Sequence, residues 1–527
     1  MKGREIAHSV TRGAFYLAIE KASGLLSGMA YFALLLRWLG PTKYGIMTLA
    51  LSFASLATMA TGNFEMFLER YAAEFVAHGR LRTLRRAHYL VLAIKLGLGL
   101  LASVPVVFAA PFLARQFDAP ELATLLPVLT VLVVCDGFST TSRATLFGIQ
   151  QFRWVSLLAV LFHVAKTVLV GALWASRQGL MALAVGMAAL TALQGLALSA
   201  VPAWMLRQAR DPEEAGAADG KRGPLMHSVF AYCMPLLGAR VTFVSGQNLS
   251  KIILGKLFTT TELGYFSFAF QTVERFVELV HTLPTSLLPS LTHLVALEER
   301  ERLHRVFDQA LRLIQVAACT LSLGLFVFAS EITLLVGSRL FEPAVPLLRI
   351  LALVPIARTA QQPLTMLFQA MREPARVLWL ALVKFGAEFG SYFVLLPALG
   401  LAGAAWANLA GAVASYVAAL VLLARIVPEG ARARARSAAI AAGLALPVLV
   451  VSSSIAVRLP APWSIALRLA MLLTTVWGVF AFGLVNRSDL EKLSAIPLTV
   501  RWMRLIRDAV VAAAGRLARA TQPGRAG

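Results

Sequence analysis

Charged and amide side chains recur inside the long apolar stretches of this sequence. Arg240, Gln247 and Lys251 are seven and four positions apart, a spacing that places them on one face of an α-helix. Glu274 and Glu278 share one face of the next apolar stretch in the same way. An ionised group in apolar surroundings is costly unless it meets a partner or water. Each of these residues is therefore a candidate for ligand binding or ion transfer.

The candidates divide into cations that could bind an anion and carboxylates that could carry a proton or a sodium ion. Arg and Lys pair well with diphosphate groups, and Arg does so through two parallel hydrogen bonds. The cationic candidates are Lys21, Arg240, Lys251, Arg275, Arg358 and Lys384. The carboxylate candidates are Glu20, Asp136, Glu274, Glu278 and Glu388. A structural ion pair is the alternative for each of them, most directly for Lys384 and Glu388, which are four positions apart.

No motif in the sequence supports catalysis. It contains no nucleotide-binding P-loop, no pair of metal-ligating histidines and no nucleophile elbow. Cys135, Cys233 and Cys319 match neither a metal-binding nor a disulfide spacing, and they suit roles as small packing residues. The sequence therefore predicts a protein that is not an enzyme, without catalytic residues, metal ligands or a cofactor.

The elements that carry these groups are predicted to be transmembrane helices. Of the 527 residues 58% are hydrophobic and 14% are charged, whereas a soluble domain has roughly 25% charged residues. Backbone polar groups in lipid must be satisfied internally, so apolar stretches of about 20 residues indicate membrane-spanning helices. The predicted spans are 13–36, 45–66, 87–112, 122–147, 153–176, 180–206, 228–258, 264–288, 308–336, 344–369, 376–397, 401–425, 436–457 and 462–485. The expected fold is an all-α integral membrane protein with about fourteen transmembrane helices.

The net charge of +22 follows membrane topology rather than nucleic-acid binding. With the N-terminus in the cytoplasm, most Lys and Arg residues fall in cytoplasmic segments, as the positive-inside rule requires. The loops on the opposite side contain Arg37, Lys43, Arg115, Arg177, Lys256, Arg339 and Arg458. Basic residues at both ends predict an even number of spans and two cytoplasmic termini. No DNA- or RNA-binding module accompanies the charge, so nucleic acid is not an expected partner.

The sequence contains an internal repeat on either side of a polar segment at 207–227. Residues 37–50 align with residues 256–269, so that Gly45 pairs with Gly264. Two further matches follow in the same order and at a nearly constant offset. Each copy holds six spans, which predicts a parallel repeat of two pseudo-symmetric six-helix bundles around a central cavity.

The repeat and the local composition define the predicted domains. The same offset places Lys21 opposite Arg240, a cation on the first helix of each bundle. The domains are an N-terminal bundle at 1–206, a cytoplasmic linker at 207–227, a C-terminal bundle at 228–426, two extra transmembrane helices at 427–486 and a basic cytoplasmic tail at 487–527. The tail mixes apolar and basic residues, which indicates an amphipathic helix on the membrane surface, with a disordered basic tail as the alternative.

The segment that follows the first predicted span resembles that of a known family. Leu39-Gly-Pro-Thr-Lys-Tyr-Gly and the later Arg70-Tyr-Ala-Ala-Glu are similar to segments of bacterial polysaccharide-biosynthesis transporters of the O-antigen flippase type. That family lies in the multidrug/oligosaccharidyl-lipid/polysaccharide exporter superfamily. The resemblance implies a flippase that moves a polyprenyl-diphosphate-linked oligosaccharide to the periplasmic leaflet by alternating access. O-antigen, capsule or exopolysaccharide repeat units are the implied cargoes, and membrane lipids and polysaccharide assembly proteins are the implied partners.

Three alternatives remain open. A lipid II flippase has a similar fold, but the characteristic opening segment of those proteins does not occur here. A cation-coupled multidrug exporter of the same superfamily often carries cationic cargoes, which a cationic cavity would repel. A membrane scaffold for polysaccharide assembly would gain nothing obvious from so many charges inside its spans.

Overall fold

The computed structural model describes residues 2–207, 222–285 and 299–426 apart from 372, with isolated residues at 291–297 and between 434 and 474. Within these residues the regular elements are all helices. They are α1 (Lys2–Ala57), α2 (Glu65–Ala77), α3 (Leu81–Gln116), α4 (Leu122–Gly148), α5 (Phe152–Ala175), α6 (Leu180–Arg207), α7 (Arg222–Leu257), α8 (Thr260–Thr285), α9 (Arg300–Val327), α10 (Ala329–Val336), a 3₁₀ turn (Arg339–Ala344), α11 (Val345–Leu351), α12 (Val354–Ala370), α13 (Pro374–Leu399) and α14 (Leu401–Ile426). The predicted all-α fold is confirmed.

The chain is a multi-pass membrane protein. In the described part, eight helices are long and apolar enough to cross a membrane, or nine if the bent pair Arg339–Leu351 and Val354–Ala370 forms one span. Phe108 and Phe393 are 81% and 84% exposed, which lipid favours and water does not. The two last predicted spans lie outside the described residues, so the number fourteen stays a prediction.

The first two predicted spans are joined more tightly than the sequence suggested. The helix α1 runs through most of both, and Gly40, with φ of 66° and ψ of 178°, breaks it directly before Pro41. A residue that precedes proline disfavours the α region, and glycine adopts a positive φ without strain. The expected loop at 37–44 is therefore a one-residue break. A second helix, α2, then continues the path from Glu65.

The chain forms two compact units. The first contains Met1–Ser267 and Leu335–Phe341, and the second contains Phe268–Leu334 and Glu342–Gly527. In the first unit, side chains of α7 pack with those of α2 and α3 in one apolar core that includes Phe67, Leu84 and Cys233. In the second unit, the described core is built around Phe307, Leu364 and Phe368. The domain boundaries drawn from the repeat stay a prediction.

Candidate functional site

A lysine is completely buried within the first unit. Lys95 on α3 has a side chain that is 0% exposed. Its Nζ donates hydrogen bonds to Glu65 Oε2 and Thr140 Oγ1, each at 2.7 Å. Asp136 Oδ2 lies 3.2 Å from the same nitrogen as an ion-pair contact that lacks hydrogen-bond geometry. An ammonium has three donors, so these three oxygens on α2 and α4 surround it.

Glycine lets the helices approach closely enough for this arrangement. Gly137 on α4 faces the stem of Lys95, and a methyl group on it would lie 3.2 Å from Lys95 Cβ. Gly99 on α3 meets the backbone of α4 one turn further along. Small residues at such positions bring two backbones together, and the lysine head group can then reach acceptors on both neighbouring helices.

A second ion pair lies one turn further along the same face of α4. Glu20 on α1 and Arg143 on α4 are joined at 2.7 Å, with side chains 9% and 37% exposed. Ser156 on α5 donates a hydrogen bond to Glu20 at 3.4 Å. Arg143 also stacks over the ring of Phe147 at 4.8 Å. The arginine therefore satisfies part of its charge with a carboxylate and part with an aromatic face.

These two ion pairs belong to one electrostatic group. Glu69 on α2 interacts with Glu65, Arg143 and Lys95, and so links the two ion pairs. We call the group the N-terminal charge cluster; its members are Glu20, Glu65, Glu69, Lys95, Asp136 and Arg143. The cluster contains more carboxylates than cations. The arrival or departure of a cation therefore changes the electrostatic energy of every member.

A second group of ionisable side chains converges in the second unit. Arg358 on α12 donates from Nη1 to Oε1 of Glu274 on α8, and both side chains are 18% exposed. Lys384 on α13 lies 3.7 Å from the carboxylate of Glu388, one turn further along the same helix. Lys384 also interacts electrostatically with Arg358 and Glu274. We call these four residues the C-terminal charge cluster.

Glu388 is the most enclosed member of this second cluster. Its side chain is 1% exposed. Asn408 on α14 donates from Nδ2 to Glu388 Oε1 at 2.9 Å, and the Tyr392 hydroxyl donates to the same oxygen at 3.4 Å. The lone pairs of this carboxylate are thus met by neutral donors as well as by Lys384, as expected for a polar group enclosed between helices.

The contact between α13 and α14 at this point depends on Gly411. A methyl group on Gly411 would lie 2.8 Å from Glu388 Cβ and 2.9 Å from the Lys384 carbonyl oxygen. We expect Gly411→Leu to lower stability by roughly 1–3 kcal/mol or more, because the helices must separate. Thermal denaturation of the purified protein in detergent measures this. Gly386→Leu on α13 is the control, since nothing lies within 4 Å of a methyl group there. Equal melting temperatures for both variants would contradict the expectation.

The remaining predicted residues are distributed as follows. Lys21 is exposed and makes no ion pair within the described residues. Lys251 is buried in α7. Arg275 and Glu278 form an i,i+3 pair at 3.5 Å with side chains 34% and 58% exposed. The side chain of Arg240 lies outside the described part of the chain, so its predicted place opposite Lys21 stays a prediction.

Sequence reasoning missed the residues that complete both clusters. Lys95 and Glu65 were not among the candidates, although Lys95 interrupts the predicted span at 87–112 and carried the same signal as the other intramembrane charges. Asn408, which donates to Glu388, carried a weaker signal as a lone amide in an apolar helix. Neither partner could be assigned without knowing which helices are neighbours.

The arrangement supports exchange of ionic partners. In both clusters the described cations are held by carboxylates, so an incoming anion that binds an arginine or lysine must displace one of them. A displaced carboxylate that stays away from water favours its protonated form. Anion binding and proton or cation binding can therefore be coupled in these clusters without a bond being formed or broken.

An all-helical multi-pass protein with ion pairs enclosed between its helices has the features of a membrane transporter, and solved structures agree. The structure is similar to an inward-facing MATE multidrug resistance transporter of the MOP superfamily, with a TM-score of 0.64 and 16% identity over 80% of this chain and 99% of that chain. It is similar to the lipid II flippase MurJ in an inward closed conformation, with a TM-score of 0.58 and 13% identity over 88% of this chain and 98% of that chain. A MOP superfamily transporter from Pyrococcus furiosus matches with a TM-score of 0.52 and 15% identity over 80% of this chain and 96% of that chain. These similarities show that the chain shares the fold of these solved structures.

The sequence comparison then gives the family. Residues 34–346 match the family described as polysaccharide biosynthesis protein, which is more than half of the chain. The protein belongs to this family. The resemblance of the segment around Leu39–Gly45 is thereby confirmed, and the chain is a multi-pass membrane protein of this family. A comparison with curated protein sequences gave no match.

Proposed function

We propose that the protein is a flippase that moves a polyprenyl-diphosphate-linked oligosaccharide across the bacterial inner membrane. The observation that carries the proposal is membership of the polysaccharide biosynthesis family by a chain with a transporter fold. A sugar assembled on a lipid at the cytoplasmic leaflet must cross the membrane before it is polymerised or attached outside. O-antigen, capsule or exopolysaccharide repeat units are the proposed cargoes, and polysaccharide assembly proteins are the proposed partners.

The charged groups between the helices support an anionic cargo. A diphosphate is best bound by Arg and Lys, which offer several charge-assisted hydrogen bonds. The proposed contacts are Lys21, Arg240, Lys251, Arg275, Arg358 and Lys384. Arg143 is partly exposed and pairs with Glu20, so an anion that binds this arginine can displace the carboxylate, and the exposed Lys21 follows Glu20 in the sequence.

The carboxylates support a coupling ion. We propose that Glu20, Asp136, Glu274, Glu278 and Glu388 are the residues that bind a proton or a sodium ion during transport. Glu388 is the strongest of these by geometry. Its carboxylate is enclosed between helices, with Asn408 Nδ2 donating to Oε1 at 2.9 Å and Lys384 at 3.7 Å.

The test of this function is the lipid extract of a deletion strain. We expect a polyprenyl-linked oligosaccharide to accumulate, because its synthesis continues while its export stops, and we expect a surface polysaccharide to disappear. Mass spectrometry of the extract measures the first effect and immunoblotting or sugar analysis of the cell surface measures the second. The mass of the lipid also identifies the repeat unit.

Complementation makes the result specific. The wild-type chain and an Arg302→Met variant should restore the polymer, since Arg302 only forms an exposed pair with Glu299 on a helix surface. A Lys21→Met variant should restore it poorly. Accumulation of lipid II instead would identify a lipid II flippase. Unchanged lipids and polymer in a strain without a second flippase would contradict the proposal, and drug susceptibility would then test multidrug export.

A further inference from the structure

Aromatic side chains of α2 and α7 form a group in the first unit that is separate from the charge clusters. Phe67, Tyr71 and Phe75 are four positions apart on α2, so they lie on one face of that helix. The ring centroids of Phe67 and Tyr71 are 4.7 Å apart, and those of Tyr71 and Phe75 are 6.4 Å apart. Tyr232 on α7 meets this row of rings, with its centroid 5.6 Å from that of Tyr71. We call these four residues the aromatic platform.

The aromatic platform is only partly covered by protein. Phe67 is 3% exposed and belongs to the apolar core that α2, α3 and α7 share. Tyr71, Phe75 and Tyr232 are partly buried and pack against the edge of that core. Three rings are therefore partly open to a ligand, and the buried ring of Phe67 supports them.

The hydroxyl groups of the two tyrosines suit binding better than packing. Among the residues that the structure describes, neither Tyr71 nor Tyr232 has a hydrogen-bond partner for its hydroxyl group. Phenylalanine would cover the edge of the core equally well at both positions. A tyrosine hydroxyl that lies against protein usually finds a partner, so these two groups are available to water or to a ligand.

Charged side chains border the aromatic platform. Arg70 and Glu74 are exposed, and each lies next to the aromatic face of α2. The guanidinium carbon of Arg70 lies 5.5 Å from the centre of the Tyr71 ring. Arg70 also interacts electrostatically with Tyr232. Because charged groups avoid lipid, this border faces water rather than the acyl chains.

Rings beside charged groups are the combination that a sugar requires. One face of a pyranose carries C–H groups that pack on the electron-rich face of an aromatic ring, and its edge carries hydroxyl groups that pair with Arg, Glu and Tyr. The planes of Tyr71 and Tyr232 meet at 75°, so a sugar stacked on one ring has its edge towards the other. Phe75 follows Tyr71 about 6 Å further along the helix axis, a distance that suits a second sugar unit.

We propose that the aromatic platform binds the sugar units of the cargo. Tyr71 and Tyr232 are the stacking rings, and Arg70 and Glu74 are the contacts for sugar hydroxyl groups. A diphosphate gains nothing from stacking, so this site recognises the glycan, whereas the cations of the charge clusters suit the diphosphate. That the sugar belongs to a transported lipid rests on the proposed flippase function. Sugar binding itself does not, and it can be measured without the lipid.

The position of the aromatic platform along α2 agrees with this role. The helix is followed by Arg80, Arg82, Arg85 and Arg86, which the distribution of basic residues assigns to the cytoplasmic side. The platform therefore lies towards the side on which the proposed cargo is assembled, where its glycan is met first.

The first experiment measures sugar binding by the purified full-length chain. The protein is kept in an amine oxide detergent, which has no sugar head group, and mixed with oligosaccharides from partial hydrolysis of the surface polysaccharide of the parent strain. Saturation-transfer NMR with irradiation of the aromatic protons should show transfer to the C–H protons of the sugars. Tyr71→Leu and Tyr232→Leu should each raise the apparent Kd by roughly three- to tenfold, as expected for the loss of one aromatic contact.

Matched variants separate stacking from folding. Tyr71→Phe keeps the ring and should bind more tightly than Tyr71→Leu. Tyr89→Leu removes a tyrosine of α3 that is 42% exposed and lies outside the aromatic platform, so it should bind as the wild type does. Melting temperatures show which variants are folded. If Tyr71→Leu does not fold, Arg70→Met tests the same site at an exposed position and should also weaken binding.

The second experiment places the aromatic platform in transport. In the deletion strain, Tyr71→Leu should restore less surface polysaccharide than Tyr89→Leu does. Part of the lipid-linked oligosaccharide should remain in the lipid extract, because the cargo is recognised less well. Full restoration by Tyr71→Leu would show that the site is not used in transport.

The outcomes separate this proposal from the proposed function. Absence of transfer to the sugars, or transfer that the Tyr71→Leu and Tyr232→Leu variants leave unchanged, would overturn the aromatic platform as a sugar site. The flippase function would still stand if the deletion strain accumulates the lipid-linked oligosaccharide. Transfer that depends on Tyr71, combined with an unchanged lipid extract in the deletion strain, would support the sugar site and reject the transported cargo.

Discussion

Replacing Lys95 with methionine is expected to destabilise the protein by roughly 3–5 kcal/mol, the range for removing one member of a buried ion pair. Methionine fills nearly the same volume, so packing is kept while Glu65 and Asp136 lose their shared ammonium. The two carboxylates then repel each other in surroundings that screen charge poorly. We expect a large fall in the melting temperature and in the yield of monodisperse protein in detergent.

Substitutions of the two carboxylates should compensate for the loss of Lys95. Glu65→Gln and Asp136→Asn, added to Lys95→Met, remove the stranded charges and should recover most of the lost stability. Arg302→Met is the control, because its exposed pair with Glu299 at 3.3 Å is worth less than about 1 kcal/mol. Equal melting temperatures for Lys95→Met and the wild type would contradict the expectation. So would a triple variant with a lower melting temperature than Lys95→Met. Either result would mean that the ion pairs of Lys95 do not stabilise this unit.

Glu274→Gln is expected to cause the second large loss, in stability and in complementation. The substitution removes the carboxylate that pairs with the Arg358 guanidinium. Glu388 is then the one remaining carboxylate of the C-terminal charge cluster for both Arg358 and Lys384. Two cations then face one acid inside the helices. Since Arg358 contacts Glu274 directly, Arg358→Met should be destabilising too, while the double variant should lose less than the sum of the two. We expect a coupling of about 0.5–3 kcal/mol from a double-mutant cycle.

Thermal denaturation of the four proteins gives the cycle, and surface polysaccharide in the complemented deletion strain gives the functional effect. Glu299→Gln serves as the control for loss of an acid from an exposed pair. Additive losses within about 0.5 kcal/mol would mean that Glu274 and Arg358 act independently. Full complementation by Glu274→Gln would remove Glu274 from the proposed coupling residues.

The internal repeat shows how far a pattern in the sequence can lead. The alignment paired Gly45 with Gly264 and Arg37 with Lys256 from residue types and offset alone. In the structure these residues form reciprocal contacts, Gly45 on the Thr260 carbonyl and Gly264 on that of Pro41. A duplicated sequence builds duplicated local geometry, so equivalence of residues was readable. That the two copies would touch at these residues was not.

The charged residues show what the sequence alone could not predict. Isolated charges in apolar stretches stand out because a bilayer penalises them, and Glu20, Asp136, Arg358 and Glu388 were identified on that ground. Their partners could not be predicted from the sequence. Glu20 pairs with Arg143, and Arg358 pairs with Glu274, across long separations in the chain. Lys384 and Glu388 are the exception, because an i,i+4 pair lies on one helix face whatever the fold.

Composition and hydropathy therefore suffice to predict the all-α membrane fold. Each span must form the hydrogen bonds of its own backbone, and in the sequence it is visible as a run of apolar residues. The internal repeat and the segment that resembles the family can likewise be recognised from the order of the residues alone. Neighbouring helices, and with them the three oxygens around Lys95 and the donors to Glu388, depend on the packing of the whole bundle. Small residues such as Gly137 and Gly411 permit that packing, but many helix pairs could use them, and the energy of the complete assembly selects one.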